Sequence, residues 1–365
     1  MAPTTEPTTG PASAPSAGAT PGAVLDDLLG SNLVIVTGKG GVGKTTVAAT
    51  LALAGAASGR RTLLVEVEGR QSSSQLFGTQ PWDYREREFR PSLHGASLDP
   101  AEAVYEYLEL FYGLKRIQWV MEKSNAIDFV TAAAPGLRDL LLIGKVYEVE
   151  SRRGDDGRRT YDLIVVDAPP TGRIVSFLQA PEGVTEIVRV GPIKRQAGQV
   201  RAMLNDPVRT RAVVVSLLEE MPVQETVEAV AQLEAAGIEV GPVIANMVTV
   251  PRLSASQSAK VHRGGADALA ATAGDQLSLP AAADAVELAT HHTERLALQA
   301  ELRTDLETRT NKPVLELPML SNPRFGANEL ELLADALAVQ VGAPGPRVGE
   351  IPGWTERAAL LGGDA

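Results

Sequence analysis

The chain has 365 residues, enough for one large domain or two ordinary ones with a substantial buried core. Its net charge of −11 argues against broad affinity for nucleic acid, because phosphate binding needs a dense cationic face. The absence of cysteine excludes disulfides, thiolate zinc sites and cysteine nucleophiles, and makes the cytoplasm the expected location. No apolar run approaches the roughly 20 residues needed to cross a bilayer, so we expect membrane contact to be indirect only.

The first residues are rich in Pro, Thr, Ala, Ser and Gly, which predicts a disordered tail over residues 1–28. A secretory signal is not expected, since no Lys or Arg precedes Lys39. A single domain is predicted over 29–340, followed by a flexible tail over 341–365.

Within that domain, short apolar runs alternate with longer stretches of helical periodicity. Continuous apolar strands are typical of a parallel sheet that is buried on both faces. The alternation therefore predicts an α/β fold with a doubly wound, mostly parallel sheet. The predicted strands cover residues 32–38, 61–68, 93–99, 161–168, 211–218, 241–248 and 312–319.

Two long helical insertions interrupt the alternation, at about 100–150 and about 174–210. We expect them to form a subdomain that binds a client or partner, with core packing as the alternative for most single positions. The first insertion has more large apolar residues than one helix face needs. They are Tyr105, Leu108, Phe111, Tyr112, Ile117, Trp119, Val120 and Met121.

The segment GKGGVGKT, residues 38–45, fits the phosphate-loop pattern G-x-x-x-x-G-K-[ST] between a predicted strand and a predicted helix. Its glycines let backbone N–H groups and the helix N-terminus approach phosphate oxygens. Lys44 supplies positive charge to the β- and γ-phosphates, and Thr45 supplies a hydroxyl ligand for Mg²⁺. The segment predicts a P-loop NTPase whose nucleotide-binding residues here are Gly40, Gly41, Val42, Gly43, Lys44, Thr45 and Thr46.

A second segment, LIVVDAPPTGR, supplies another part of the same site. Asp167 ends a buried apolar strand, where a carboxylate is costly unless it meets a cation or water bound to one. We predict that it shares Mg²⁺ with Thr45, and a role in capping the next segment is the alternative. The following loop lies where it can change shape with the γ-phosphate. Its predicted switch residues are Pro170, Thr171, Gly172 and Arg173.

The segments GKGGVGKTT and DAPPTGR together resemble the arsenite-pump ATPase family, which includes ATPases that guide tail-anchored proteins to membranes. ASLDPAEA, APGLRDLL and VIANMV also resemble family elements, and the similarity runs over most of residues 32–335. The resemblance implies a dimeric hydrolase that uses ATP and Mg²⁺. It also implies that Lys39, the extra lysine of a deviant Walker A loop, reaches the partner's phosphates. The alternative for Lys39 is an ordinary surface lysine.

The same resemblance implies a pocket for the adenine base. Asn246 would hydrogen-bond the adenine, and the loop Pro318-Met319-Leu320 would form one wall of the pocket. Taken alone, Asn246 is equally compatible with a turn at the end of a strand.

The chain departs from the family near the γ-phosphate. Relatives usually have an Asp that positions the attacking water, and the aligned residue here is Glu68. Glu keeps the carboxylate but moves it by a methylene, and poor placement can cost orders of magnitude in rate. Either Glu68 positions the water or hydrolysis is slow. Relatives commonly have His where this chain has Arg173, which stays charged at every relevant pH.

The missing cysteines also separate this chain from relatives that bind arsenite through thiols or staple their dimer with a CxxC zinc site. We therefore expect no zinc. His291 and His292 do not replace such a site, since adjacent residues on a helix point about 100° apart.

Three interpretations of function follow. The leading one is a cytosolic dimeric ATPase in which ATP closes two subunits and repositions a surface for a hydrophobic helical client. The dimer is either a homodimer or a heterodimer with a related ATPase. The second is a weakly catalytic subunit that completes a better site on that related ATPase. The third, a partition or septum-positioning ATPase, is disfavoured by the acidic charge and the weakly amphipathic C-terminal segment.

Overall fold

The computed structural model describes residues 21–67, 69–103, 106, 135–187 and 192–339. Its strands are β1 (Leu33–Gly38), β2 (Thr62–Glu66), β3 (Arg87–Arg90), β4 (Leu93–Ser97), β5 (Leu163–Asp167), β6 (Thr210–Leu217), β7 (Val240–Val248) and β8 (Val314–Pro318). They form one sheet in the order β3-β4-β2-β5-β1-β6-β7-β8. All neighbouring strands are parallel except β3, which is antiparallel to β4. The predicted doubly wound, mostly parallel sheet is confirmed.

The helices lie between the strands and on both faces of the sheet. They are α1 (Pro21–Gly30), α2 (Lys44–Ala57), α3 (Ser72–Leu76), α4 (Pro135–Ser151), α5 (Thr171–Ile187), α6 (Pro192–Leu204), α7 (Glu220–Ala235), α8 (Ala255–Ala273), α9 (Leu279–Thr310) and α10 (Ala327–Val339). Within the described ranges, no helix is both long and apolar enough to cross a membrane.

The strand β1 shows why its sequence is continuously apolar. Leu33 and Ile35 point into the core beneath α4, α5, α6 and α7, whereas Val34 and Val36 point into the core beneath α1, α2 and α10. Successive side chains of a strand point to opposite faces, and both faces here are covered by helices. The burial of every residue of β1 follows from this arrangement.

The edge strand β3 was not predicted. Three of its four residues, REFR, are charged, and all four are only half-buried or exposed. Charged side chains are common on edge strands because they discourage pairing with another chain. A short run of this kind lacks the continuous apolar character that several of the predicted strands have.

The helices of the second predicted insertion cover the sheet. Phe177 of α5 and Val200 of α6 are fully buried in the same core as the sheet residue Ile164. The described part of the first insertion, α4, contributes Ile143 and Val146 to that core. The apolar group predicted over residues 105–121 lies outside the described residues.

The first helix begins inside the stretch predicted to be a disordered tail. Leu25 and Leu28 of α1 are buried against the core that also contains Val34. The packed part of the chain therefore begins before residue 28, and residues 1–20 lie outside the described ranges.

Candidate nucleotide site

The carboxyl ends of neighbouring parallel strands bring the predicted site residues to one edge of the sheet. Val36 of β1 pairs with Asp167 of β5. Leu217 of β6 pairs with Asn246 of β7, and Val248 of β7 pairs with Pro318 of β8. In open α/β sheets this edge is where ligands bind.

The phosphate loop leaves β1 and enters α2 through two glycines at which a side chain would meet neighbouring atoms. A Cβ on Gly38 would lie 2.5 Å from the carbonyl oxygen of Val215. Gly43 has a φ of 88°, and a Cβ there would lie 2.2 Å from Nδ2 of Asn246. Gly40 and Gly41 are exposed, so the loop presents its backbone to solvent just before α2 begins at Lys44. A helix N-terminus with such a loop is a ready anion-binding site.

Thr45 and Asp167 are in direct contact. The Thr45 hydroxyl donates a hydrogen bond of 2.7 Å to Oδ2 of Asp167, whose residue is only 8% exposed. Two adjacent ligands of an octahedral ion at about 2.1 Å are separated by about 3 Å, so these oxygens fit Mg²⁺. Lys44 lies in the same loop, and its Nζ donates to the backbone carbonyl of Lys39 at 3.0 Å.

The predicted adenine contact, Asn246, is tied to the phosphate loop. Its Nδ2 donates to the backbone carbonyl of Val42 at 2.9 Å, and the residue is 4% exposed. The hydrogen bond joins the end of β7 to the loop that follows β1, two strands away in the sheet. Asn246 therefore holds the phosphate loop in place, and its contact with the adenine stays a prediction.

The predicted wall of that pocket follows β8. Pro318 is buried, Met319 is 50% exposed and Leu320 packs against both cores. The Met319 N–H donates to the Val248 carbonyl at 2.9 Å, which keeps the wall attached to β7. A second exposed methionine, Met247, was not predicted. It has a φ of 56°, a left-handed conformation that sequence patterns assign to Gly or Asn.

The predicted switch loop is attached to β1 at its start. The Thr37 hydroxyl donates to the Pro169 carbonyl at 2.7 Å and is fully buried. Thr171 and Gly172 open α5, whose first turn includes a hydrogen bond to the Pro170 carbonyl. The loop that follows Asp167 therefore runs directly from the central strand into a helix.

Arg173 links the switch helix to α4 through Asp139. Their side chains approach to 3.5 Å between Nη2 and Oδ1. Burial raises the pKa of Asp139, and the positive charges of Arg173 and Arg138 oppose that shift. These groups line a cavity of about 140 Å³ beside Pro169, to which Arg70 also contributes.

Glu68 lies outside the described residues, so its role stays a prediction. A carboxylate two positions earlier, Glu66, was missed, although it ends an apolar strand just as Asp167 does. Glu66 is 2% exposed and pairs in register with Asp167. Its carboxylate accepts backbone hydrogen bonds from Ser72 at 3.4 Å and Ser73 at 3.2 Å, at the start of α3.

Lys39 forms an ion pair within its own subunit. Its Nζ contacts Oε1 of Glu225, which lies on α7. Sequence reasoning did not identify Glu225, because 186 residues separate the two and no local pattern connects them. The roles assigned to Lys39 and to the other site residues remain predictions.

The parallel sheet and the phosphate loop between β1 and α2 define the molecule as a P-loop NTPase. The sequence model of anion-transporting ATPases matches residues 31–200 and 188–263. The chain therefore belongs to the anion-transporting ATPase family and is an ATPase.

Three relatives illustrate the range of similarity. The chain is 40% identical to the ATPase BagA of Mycobacterium tuberculosis over 86% of this chain and 94% of that protein. It is 25% identical to the arsenical pump-driving ATPase of Escherichia coli over 67% of this chain and 44% of that protein. It is 23% identical to the ATPase GET3 of Kluyveromyces lactis over 62% of this chain and 75% of that protein. The predicted resemblance to the arsenite-pump family is confirmed.

Proposed function

We propose that this ATPase is an ATP-driven switch that works as a dimer. The contact between Thr45 and Asp167 carries the proposal, because it aligns two oxygen ligands with the phosphate loop at the ligand-binding edge of the sheet. The partner subunit is either a second copy of this chain or a related ATPase. The cysteine-free composition supports a cytoplasmic location.

Each residue of the site has a defined task in this proposal. The loop N–H groups and Lys44 bind the β- and γ-phosphates, and Asn246 with Met319 borders the base. Thr45 and Asp167 would hold Mg²⁺, which when bound offsets negative charge that develops on the phosphates. Glu68 orients the attacking water, and Lys39 adds positive charge to the nucleotide of the other subunit.

The connection from the site to a client runs through the switch helix. The loop at Pro169 leads into α5, and Arg173 of α5 contacts Asp139 of α4. A shift of this loop on loss of the γ-phosphate would therefore move two helices that cover one face of the sheet. The hydrophobic helical client and its surface near residues 105–121 stay predictions from the sequence.

A paired substitution on one strand tests the proposal. Asp167→Asn removes the charge at the carboxyl end of β5, whereas Asp162→Asn changes a carboxylate at the amino end, where it accepts the Arg61 N–H at 2.9 Å. We expect Asp167→Asn to lower kcat for Mg²⁺-dependent ATP hydrolysis about 100-fold or more, because it removes metal-linked charge stabilisation. Asp162→Asn should leave kcat within about twofold of wild type.

Wild-type kcat in the Asp167→Asn variant would refute this site assignment. Tight ATP binding by the wild-type chain with negligible turnover would instead support the weakly catalytic subunit of a heterodimer. The mass of the chain with and without nucleotide is measured in the same samples, and a monomer under both conditions would contradict a homodimer.

A further inference from the structure

The ion pair between Lys39 and Glu225 connects the phosphate loop to a helix outside the predicted nucleotide contacts. Glu225 lies in the second turn of α7, which follows β6. Because β6 is the neighbour of β1, this helix starts at the same edge of the sheet as the phosphate loop. The Lys39 side chain is 47% exposed and that of Glu225 is 28% exposed.

This pair lacks the features of an ion pair that holds the fold together. Oε2 of Glu225 is buried and has no hydrogen-bond partner among the described residues. In contrast, Glu150 is 1% exposed, and both of its carboxylate oxygens are bonded by Arg209, with Arg159 adding a further bond. Exposed ion pairs contribute little to stability. The contact is therefore better explained by what it does to Lys39.

The ion pair engages the Lys39 ammonium group within its own subunit, so Glu225 and the phosphates of another subunit would compete for it. We propose that Glu225 is a positioning residue that holds Lys39 within its own subunit until a partner's nucleotide replaces it. This inference rests on the proposed dimeric function. A triphosphate offers several charged acceptor oxygens, whereas Glu225 bonds Lys39 through Oε1 alone. The exchange therefore favours the phosphates once the two subunits approach.

We call the ion pair between Lys39 and Glu225 the latch. Lys44 connects this latch to ATP bound in the same subunit. Its Nζ donates to the Lys39 carbonyl, so it fixes the part of the loop from which Lys39 reaches Glu225. Phosphates bound in the loop compete for the same ammonium group. If the phosphates draw the Lys44 ammonium group away from the Lys39 carbonyl, this part of the loop loses a fixed point and the latch weakens in a subunit that has loaded nucleotide.

The variant Glu225→Gln tests the latch, and Glu228→Gln is its matched control. Glutamine keeps the size of the side chain and can still accept a hydrogen bond, but it removes the charge. Glu228 lies on the same helix and accepts a hydrogen bond from Gln224, not from the phosphate loop. The measurement is the mass of the full chain against protein concentration, with Mg²⁺ and a non-hydrolysable ATP analogue.

We expect Glu225→Gln to lower the protein concentration at half-association about 2- to 30-fold, because a homodimer has one such exposed ion pair in each subunit and the two effects multiply. Glu228→Gln should leave that concentration unchanged. When Lys39 is replaced by Ala, adding Glu225→Gln should no longer promote association, because there is then no lysine for Glu225 to hold.

The experiment distinguishes failure of the latch from failure of the proposed dimer. If the wild-type chain associates with the analogue and Glu225→Gln does not promote association, the latch is overturned and the proposed function stands. If the wild-type chain does not associate with itself at all, the homodimer fails and the latch that rests on it fails as well, whereas a heterodimer with a related ATPase is not contradicted.

Discussion

Asn246 joins the end of β7 to the phosphate loop through its hydrogen bond to the Val42 carbonyl. Asn246→Ala leaves that buried carbonyl without its donor, and we expect the free energy of unfolding to fall by about 1–3 kcal/mol. Because the loop loses a fixed point and the base pocket loses a polar contact, the Kd for ATP should rise about tenfold. Calorimetric titration of ATP and urea unfolding measure the two effects.

Asn32→Ala is the control for this change. The Asn32 side chain donates to the Asp162 carbonyl at 3.3 Å, next to the amino end of β1. We expect it to leave the Kd for ATP unchanged, because it lies at the opposite end of the strand from the phosphate loop. Equal ATP affinities in Asn246→Ala and Asn32→Ala would remove Asn246 from the predicted base pocket.

The sequence could predict the contact between Thr45 and Asp167 but not the contact between Lys39 and Glu225. The phosphate-loop motif fixes Thr45 at the start of a helix, and a carboxylate at the end of a neighbouring strand can reach only that edge. Glu225 belongs to no recognised sequence motif. Its position beside Lys39 depends on how α7 packs on the sheet, which the local sequence does not show. Met247 was missed because its left-handed backbone has no signature in the sequence.

At the scale of elements, Glu66 joins the end of β2 to the start of α3. The segment that it spans contains Glu68, the residue predicted to position the attacking water. We expect Glu66→Ala to lower the free energy of unfolding by about 1–3 kcal/mol, because two backbone N–H groups lose a buried charged acceptor. We also expect a lower kcat with little change in the KM for ATP, since the segment loses its anchor.

Glu88→Ala provides the comparison for Glu66→Ala. Glu88 also accepts a backbone hydrogen bond, from Ser92 at 3.0 Å, but it lies on the exposed edge strand β3. We expect this variant to cost less than about 1 kcal/mol and to leave kcat unchanged. Urea unfolding and steady-state hydrolysis are measured for both variants. An unchanged kcat in Glu66→Ala would limit Glu66 to a structural role.

Each of the seven predicted strands overlaps an observed strand, and in several of them burial on both faces leaves a continuous apolar run. The packing partners of helices were harder to predict. Helical periodicity shows that one face is buried but not what buries it, so α5 and α6 were assigned to an insertion although they cover the sheet. The helix α1 was missed because its apolar residues follow a long stretch of Pro, Thr and Ala.

At the scale of the whole molecule, charge opposes the proposed dimer. A chain with a net charge of −11 repels its own copies, and two bound nucleotides would add negative charge to the interface. Lys39 supplies a cation where that repulsion would be concentrated. The dimer is therefore expected to close only when each lysine faces a partner's phosphates, which would couple association to ATP.

A mixing experiment decides whether Lys39 acts across the dimer. Lys39→Ala subunits keep their own nucleotide site, whereas Asp167→Asn subunits keep the lysine. We expect each variant alone to lose at least about 100-fold in kcat. An equal mixture should recover about a quarter of wild-type activity, because half of the dimers are mixed and each has one complete site.

The double variant Lys39→Ala/Asp167→Asn, mixed with Lys39→Ala, is the control and should recover nothing. A lysine that acts on its own subunit's nucleotide gives no recovery in either mixture, because no subunit then has both groups. Recovery in the first mixture alone would mean that Lys39 leaves Glu225 and reaches the nucleotide of the partner. This movement is the opening of the latch. Neither subunit of the second mixture has Lys39, so recovery in both mixtures would show that hydrolysis does not need this lysine and would refute its role.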